Sequence, residues 1–174
     1  MSTLTDKTVA ILSTDNFEDS ELTSPREAVE EAGATTVVIS TESGTIEGKN
    51  GTEVSVDLTT AEAKAADYDA LLLPGGTSNA DHIRQDEAAV KLVRELTQAG
   101  KPVGVICHGG WILTDAEAVS GVRMTSYPSL KTDLKNAGAQ WVDEEVVVDK
   151  RIVSSRTPDD LPAFNNAIVE EFAK

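Results

Sequence analysis

Lys101-Pro102-Val103-Gly104-Val105-Ile106-Cys107-His108-Gly109-Gly110-Trp111 reads as an apolar, β-branched strand that stops on a thiol and gives way at once to glycine. A strand ending on a cysteine before a glycine-rich helix start is how α/β proteins present a nucleophile. The match to the G-x-S-x-G elbow is partial, because Val105 stands two places before the thiol where that motif has glycine. The thiolate is the reactive form of cysteine, and a helix N-terminus lowers the pKa of a thiol placed there. The competing reading is a buried cysteine packed as a small apolar side chain.

Outward from this stretch the chain alternates short apolar runs with helical spacing. Thr8–Leu12, Thr35–Ser40, Asp69–Leu73 and Pro102–Ile106 read as strands buried on both faces. Glu21–Glu31 has helical periodicity and stops at Gly33, and Pro25 lies early in it, where a helix tolerates proline. Asp86–Ala99 is an amphipathic helix with Val90, Val93 and Leu96 on one face, ending at Gly100. A helix is expected from Gly109, a short one over Ser129–Ala137, and a closing one over Pro158–Ala173. Thr45–Leu58 reads as a hairpin turning at Lys49-Asn50-Gly51, and Glu145–Asp149 with Ile152–Ser154 as a second. Strands alternating with helices predict an α/β fold, a mostly parallel sheet covered on both faces.

In such sheets ligands bind beyond the carboxyl ends of the strands. Three unusual segments fall there: Asp15-Asn16-Phe17-Glu18-Asp19, Pro74-Gly75-Gly76 and Cys107-His108-Gly109. Gly76 lets backbone approach a ligand closely, so its amide and that of His108 are candidate oxyanion donors; a plain turn is the alternative for Pro74-Gly75-Gly76. His108 is also a candidate base, although adjacent side chains usually diverge. Glu18 lies among Asp15, Asp19 and Glu21, which suits a solvated acidic loop. If it is buried beside the sulfur it must be protonated to help, since a carboxylate there opposes thiol ionisation. His82, between Asp81 and Ile83 with Arg84 following, reads as a surface residue near a helix start. One cysteine and two histidines in separate segments make a poor metal set, and no cofactor is expected.

The 174 residues suit one domain, 1–174, and 40% hydrophobic with 26% charged residues suits a globular chain. With a single cysteine no intrachain disulfide is possible, which fits a reducing, cytoplasmic setting. The first residues, Met1-Ser2-Thr3-Leu4-Thr5-Asp6-Lys7, carry neither the basic region nor the apolar stretch of a signal peptide, and no run approaches a membrane span. Thirty acidic against 15 basic residues give a net charge of -15. That argues against nucleic acid and anionic membrane as partners, since both need a basic face. It fits an ordinary acidic cytosolic protein or a halophilic one, in which salt screens the self-repulsion.

Longer stretches carry a resemblance. Asn16-Phe-Glu-Asp-Ser-Glu-Leu22, Tyr68-Asp-Ala-Leu-Leu-Leu-Pro-Gly-Gly76, Gly100–Gly109, Thr125–Asp149 and Ser154–Pro162 together resemble the PfpI family, the ThiJ/PfpI branch of the class I glutamine amidotransferase-like superfamily. The resemblance runs in order through nearly the whole chain. It implies a flavodoxin-like three-layer sandwich with Cys107 at the nucleophile elbow, an acidic neighbour matching Glu18, and the adjacent His108. It also implies a homo-oligomer in which an acidic residue of a neighbouring subunit, here Asp81, orients His108. Asp stands there in place of the more familiar Glu, and the helix starting Thr23-Ser24-Pro25-Arg26 lacks the aromatic residues of many members.

Family members are described as glutathione-independent glyoxalases, protein deglycases and intracellular cysteine peptidases. The first two imply a small aldehyde or glycated protein as partner and a hemithioacetal on Cys107, with Glu18 or His108 moving the proton and the amides of Gly76 and His108 holding the oxyanion. A peptidase would use Cys107 and His108 with Asp81. A redox-sensing or chaperone-like stress protein is the reading from outside enzymology. A glutamine amidotransferase fits less well, because no downstream His-x-Glu pair completes its triad.

Overall fold

A computed structural model describes residues 3–174. Met1 and Ser2, which open the segment read for a signal peptide, lie outside the described residues. The elements run β1 (Thr8–Leu12), α1 (Asp19–Glu31), β2 (Thr35–Ser40), β3 (Gly44–Glu47), β4 (Glu53–Val56), β5 (Leu58–Thr59), β6 (Ala70–Leu73), α2 (Thr77–Ile83) and α3 (Glu87–Gln98). They continue β7 (Val103–Ile106), α4 (Trp111–Asp115), β8 (Arg123–Met124), α5 (Lys131–Asn136), β9 (Gln140–Trp141), β10 (Val147–Asp149), β11 (Ile152–Ser155) and α6 (Leu161–Phe172).

Seven strands form the main sheet in the order β10-β11-β7-β6-β1-β2-β5. All neighbours pair in parallel except β10, which turns back antiparallel on β11. β3 and β4 form a separate antiparallel hairpin, and β8 and β9 a two-residue parallel pair. Because strand side chains alternate, β1 sends Val9 and Ile11 to one face and Ala10 and Leu12 to the other. Leu22 and Val29 of α1 and Phe164, Ile168 and Phe172 of α6 pack with the first pair. Leu92, Val93 and Leu96 of α3, with Ile112, Leu113 and Leu134, pack with the second. This is a three-layer α/β sandwich, as the alternation of strand and helix predicts.

Several local expectations change. Helix α1 begins at Asp19, so Pro25 lies inside it and leaves one helical carbonyl without its usual amide donor. Helix α2 was not expected, and His82 sits in its last turn with Nδ1 2.7 Å from the Ser78 carbonyl. The segment expected to start a helix at Gly109 instead opens with a tight 3-10 turn over Cys107–Gly110 before α4.

The chain leaves β1 toward β2 and β5 on one side, and β6, β7 and β11 lie on the other. The sheet therefore reverses direction between β1 and β6, which is where open α/β sheets bind ligands. β7, β6 and β1 are adjacent, so the segments after them, ending in Cys107, Gly76 and Glu18, share one rim.

Candidate active site

Cys107 has φ = 60°, a left-handed backbone conformation that costs an ordinary L-residue roughly 1–2 kcal/mol. The strain is held by its surroundings: the Tyr127 amide donates to the Cys107 carbonyl at 3.1 Å, and a Cβ on Gly109 would stand 2.6 Å from the Leu73 carbonyl. The strained turn leaves the sulfur at the sheet's rim in a near-buried recess, the residue only 8% exposed. It also overcomes the usual divergence of neighbours, because His108 Nδ1 lies 3.2 Å from Sγ. The backbone amides of His108 and Gly76 favour the charged form of the sulfur.

Gly75 and Gly76 shape the opposite wall. Gly76 has φ = 90° and ends the turn by opening α2, and a Cβ on it would press on Asn16 and Phe17 and come 2.7 Å from the Glu18 amide. A Cβ on Gly75 would collide with Glu21 Oε1 and stand 2.8 Å from the Cys107 Cβ. Asn79 pins this turn from beneath. Its Nδ2 donates to the carbonyls of Pro74 and Gly75 (3.3 and 3.0 Å), and its Oδ1 accepts from the Thr14 amide at 2.7 Å. Nothing in the local sequence singles out Asn79; its role depends on three loops meeting.

The acid against the sulfur is Glu21. It is 1% exposed, Oε1 accepts the Gly75 amide at 3.0 Å, and the carboxyl lies beside the Cys107 side chain across Gly75. Its other oxygen, Oε2, is buried without a hydrogen-bond partner, which is where a proton is least opposed. Burial first, then the nearby Glu18 charge, push Glu21 from an ordinary 4.5 up to about 8. Glu21 lies in the first turn of α1. The helix dipole there favours its charged form by at most ~1–2 kcal/mol, and burial outweighs it. Glu21 therefore holds its proton at neutral pH.

Glu18 does not take the position expected of it. It precedes α1 with extended backbone, and its carboxylate pairs with Lys49 on the β3–β4 turn. It is a rim residue one helical turn short of the sulfur-facing acid.

Burial and the charge of Glu21 push the Cys107 thiol up, to about 12, while the two amides pull it down. The Glu21 contribution vanishes while that carboxyl is protonated. The two groups thus titrate as a pair, and the useful form has the proton on Glu21 and the charge on sulfur.

His108 is held on every side. Its ring stacks on Tyr127 at 4.5 Å and meets Trp111 edge-on at 5.4 Å. Nε2 lies 3.3 Å from both Thr77 Oγ1 and Ser129 Oγ. Burial, and after it the Lys49 charge, hold its pKa below the ordinary 6.5, so the ring is neutral. Thr77 and Ser129 carry no motif; only the packing of α2 and the Pro128–Leu130 turn on the elbow brings them here. Asp81 is exposed on α2, and its carboxylate makes no hydrogen bond to His108 within the chain. No helix among the described residues is long and apolar enough to cross a membrane.

The comparisons agree with this geometry. The chain is 47% identical over 162 residues to Protein/nucleic acid deglycase 2 of Escherichia coli, covering 91% of this chain and 94% of that one. It is equally 47% identical, over 160 residues and with the same coverage, to the Bacillus subtilis protein named "Putative cysteine protease YraA". Among solved structures, a two-domain Anabaena variabilis protein with DJ-1/ThiJ/PfpI-like and ferritin-like domains superposes with a TM-score of 0.92 at 35% identity, over 95% of this chain and 48% of that one. Drosophila melanogaster DJ-1beta superposes at 0.88 and 26% identity, covering 99% and 91% of the two chains. Residues 7–171 match the DJ-1/PfpI family. With the elbow, the sheet order and these relatives in agreement, the chain belongs to the DJ-1/PfpI family.

Proposed function

We propose that the protein is a cysteine-dependent enzyme acting on 2-oxoaldehydes or their early adducts with amines. The observation that carries this is the Glu21–Cys107 pair: a near-buried thiol backed by a carboxyl that exchanges its proton near pH 8. In the reaction, the Cys107 thiolate adds to the aldehyde carbon C1 and the carbonyl electron pair moves to oxygen. Amides at His108 and Gly76 suit the resulting oxyanion. Glu21 gives its proton to that oxygen, then as carboxylate takes the C1 proton and returns it at C2, while the hydroxyl proton passes from the C1 oxygen to the C2 oxygen. C1 is thereby oxidised to a thioester and C2 reduced to an alcohol, with no external oxidant. Water then cleaves the C–S bond, releasing a 2-hydroxy acid and the thiolate. The relative named as a deglycase supports this reading. A recess that leaves Cys107 only 8% exposed suits a small substrate better than an extended peptide.

One observation favours a second reading, an intracellular peptidase: His108 Nδ1 lies within 3.2 Å of the sulfur, the contact a Cys–His dyad requires. There Asp81 of a neighbouring subunit would orient His108, and a homo-oligomer would be obligatory. Purified protein incubated with methylglyoxal and with a peptide amide separates the two. Lactate from the wild type, lost in Cys107→Ala and Glu21→Gln, supports the aldehyde reading. Peptide cleavage lost in Cys107→Ala and Asp81→Asn, with no lactate, replaces it. Neither product, with clean gain of two oxygens on Cys107 under mild peroxide, points to a redox sensor.

A further inference from the structure

The reaction above uses Cys107, Glu21 and His108 and leaves a cation at their rim without a task. Lys49 sits at the tip of the β3–β4 hairpin, tied down by its own amide donating to the Phe17 carbonyl at 3.0 Å. Asp19 fixes the turn by accepting the Asn50 and Thr52 amides, both at 3.0 Å. The Lys49 ammonium pairs with Glu18, whose amide donates to the Gly75 carbonyl at 3.3 Å. Gly75 is the residue against which Glu21 and Cys107 pack. A half-exposed ammonium is thus linked through Glu18 to the Gly75 backbone beside a near-buried thiol. Its charge reaches Glu21, Cys107 and His108.

We propose that Lys49 is the anion-recognition residue of this site, receiving a carboxylate carried by the substrate in exchange for Glu18, so that preferred substrates are carboxylate-bearing 2-oxoaldehydes or adducts. The aldehyde half of that statement rests on the function proposed above; the anion half does not. Three features argue for it. The protein carries 30 acidic residues against 15 basic ones, so a cation set at the mouth of its nucleophile stands out against the surrounding charge. The Lys49 side chain keeps 52% of its surface exposed, so an entering group can reach it. Its partner Glu18 is held by a partly exposed ion pair, a weak interaction that a substrate carboxylate can displace.

The chain has one cysteine, so alkylation reports this site alone. Iodoacetate and iodoacetamide differ by one negative charge, and any change in thiol pKa or access affects both alike. Their rate ratio, followed by intact mass at low salt, isolates anion recognition. We expect the iodoacetate-to-iodoacetamide ratio to fall about fivefold in Lys49→Gln, to hold in Lys49→Arg, and to rise in Glu18→Gln, with all differences shrinking as salt is added. An unchanged ratio in Lys49→Gln, or a fall in Lys49→Arg as large as in Lys49→Gln, overturns the proposal. Turnover of 4-carboxyphenylglyoxal relative to phenylglyoxal should follow the same order. A shifted alkylation ratio in a protein that turns over neither glyoxal overturns the aldehyde chemistry and leaves Lys49 as an anion site. Turnover with an unshifted ratio does the reverse.

Discussion

Glu21 and Cys107 meet across the bare backbone of Gly75, one from the first turn of a helix and the other from the end of a strand. The contact binds function to instability. A carboxyl raised from 4.5 to about 8 on folding holds a proton that the unfolded chain has already lost. Stability therefore falls as pH rises from about 4.5 to about 8 and is level above that.

Glu21→Gln keeps the acceptor for the Gly75 amide and removes the titration. We expect it to melt above the wild type at pH 8, by on the order of a few kcal/mol, with a much smaller gap at pH 5. Without the repulsive carboxylate, the pH midpoint of Cys107 alkylation moves down. Lactate formation falls about a hundredfold or more, because an amide cannot carry the proton. Calorimetry at the two pH values and an alkylation pH profile check all three.

The strained elbow gives a second expectation. Cys107→Gly and Cys107→Ala both abolish turnover, yet glycine tolerates φ = 60° and alanine does not. The glycine variant should be the more stable by about 1 kcal/mol in denaturant titration. Equal midpoints would mean the turn relaxes when the thiol is removed.

The hydroxyls on His108 Nε2 give a third. Thr77→Val combined with Ser129→Ala leaves a buried ring nitrogen without its partners. Turnover of methylglyoxal should drop about tenfold, by the 1–3 kcal/mol of an unsatisfied buried group. Asp81→Asn, in contrast, should leave lactate formation nearly intact while removing any peptide hydrolysis. Lactate formation that depends on Asp81 and on protein concentration would bring the neighbouring subunit into the aldehyde chemistry.

A net charge of -15 on 174 residues sets up a fourth expectation. Raising potassium chloride from 0.1 to 2 M shortens the screening length from ~10 Å to a few Å. The melting temperature should climb by about 5 °C or more; no rise would remove the ground for reading the acidic surface as a salt adaptation.

The main strands were legible because strands covered on both faces are continuous apolar runs, and β1, β2, β6 and β7 are such runs. The two-residue strands β5, β8 and β9 are too short to carry a period. Helix α2 is seven residues long and buries only Asn79, Ala80 and Ile83, too little for an apolar stripe. The elbow was legible because a thiol between an apolar run and glycines is rare. The acid was misassigned to Glu18 because the helix was started two residues late. Begun at Asp19, its buried positions are Glu21, Leu22, Pro25 and Val29, a helical stripe with Glu21 on it and Glu18 off it. The expected helix start therefore misplaced the carboxyl that lies against the sulfur. Thr77, Ser129 and Asn79 had no such signal, since tertiary contacts alone give them their roles.

The β3–β4 hairpin pairs with no strand of the main sheet. It is held to the site by Asp19 on the Asn50 and Thr52 amides, Phe17 on the Lys49 amide and Asp15 on the Glu47 amide, and by Ile46 and Val54, buried in one cluster with Phe17 and Leu22. Cys107 and Glu21 belong to the packed strand and helix layers, where few changes are tolerated. Lys49 belongs to the turn of that hairpin, whose tip residues can vary so long as Ile46 and Val54 keep their places in the core. On the proposal that Lys49 selects the substrate, grafting a different tip between Gly48 and Thr52 should yield proteins of one chemistry with different substrate preferences.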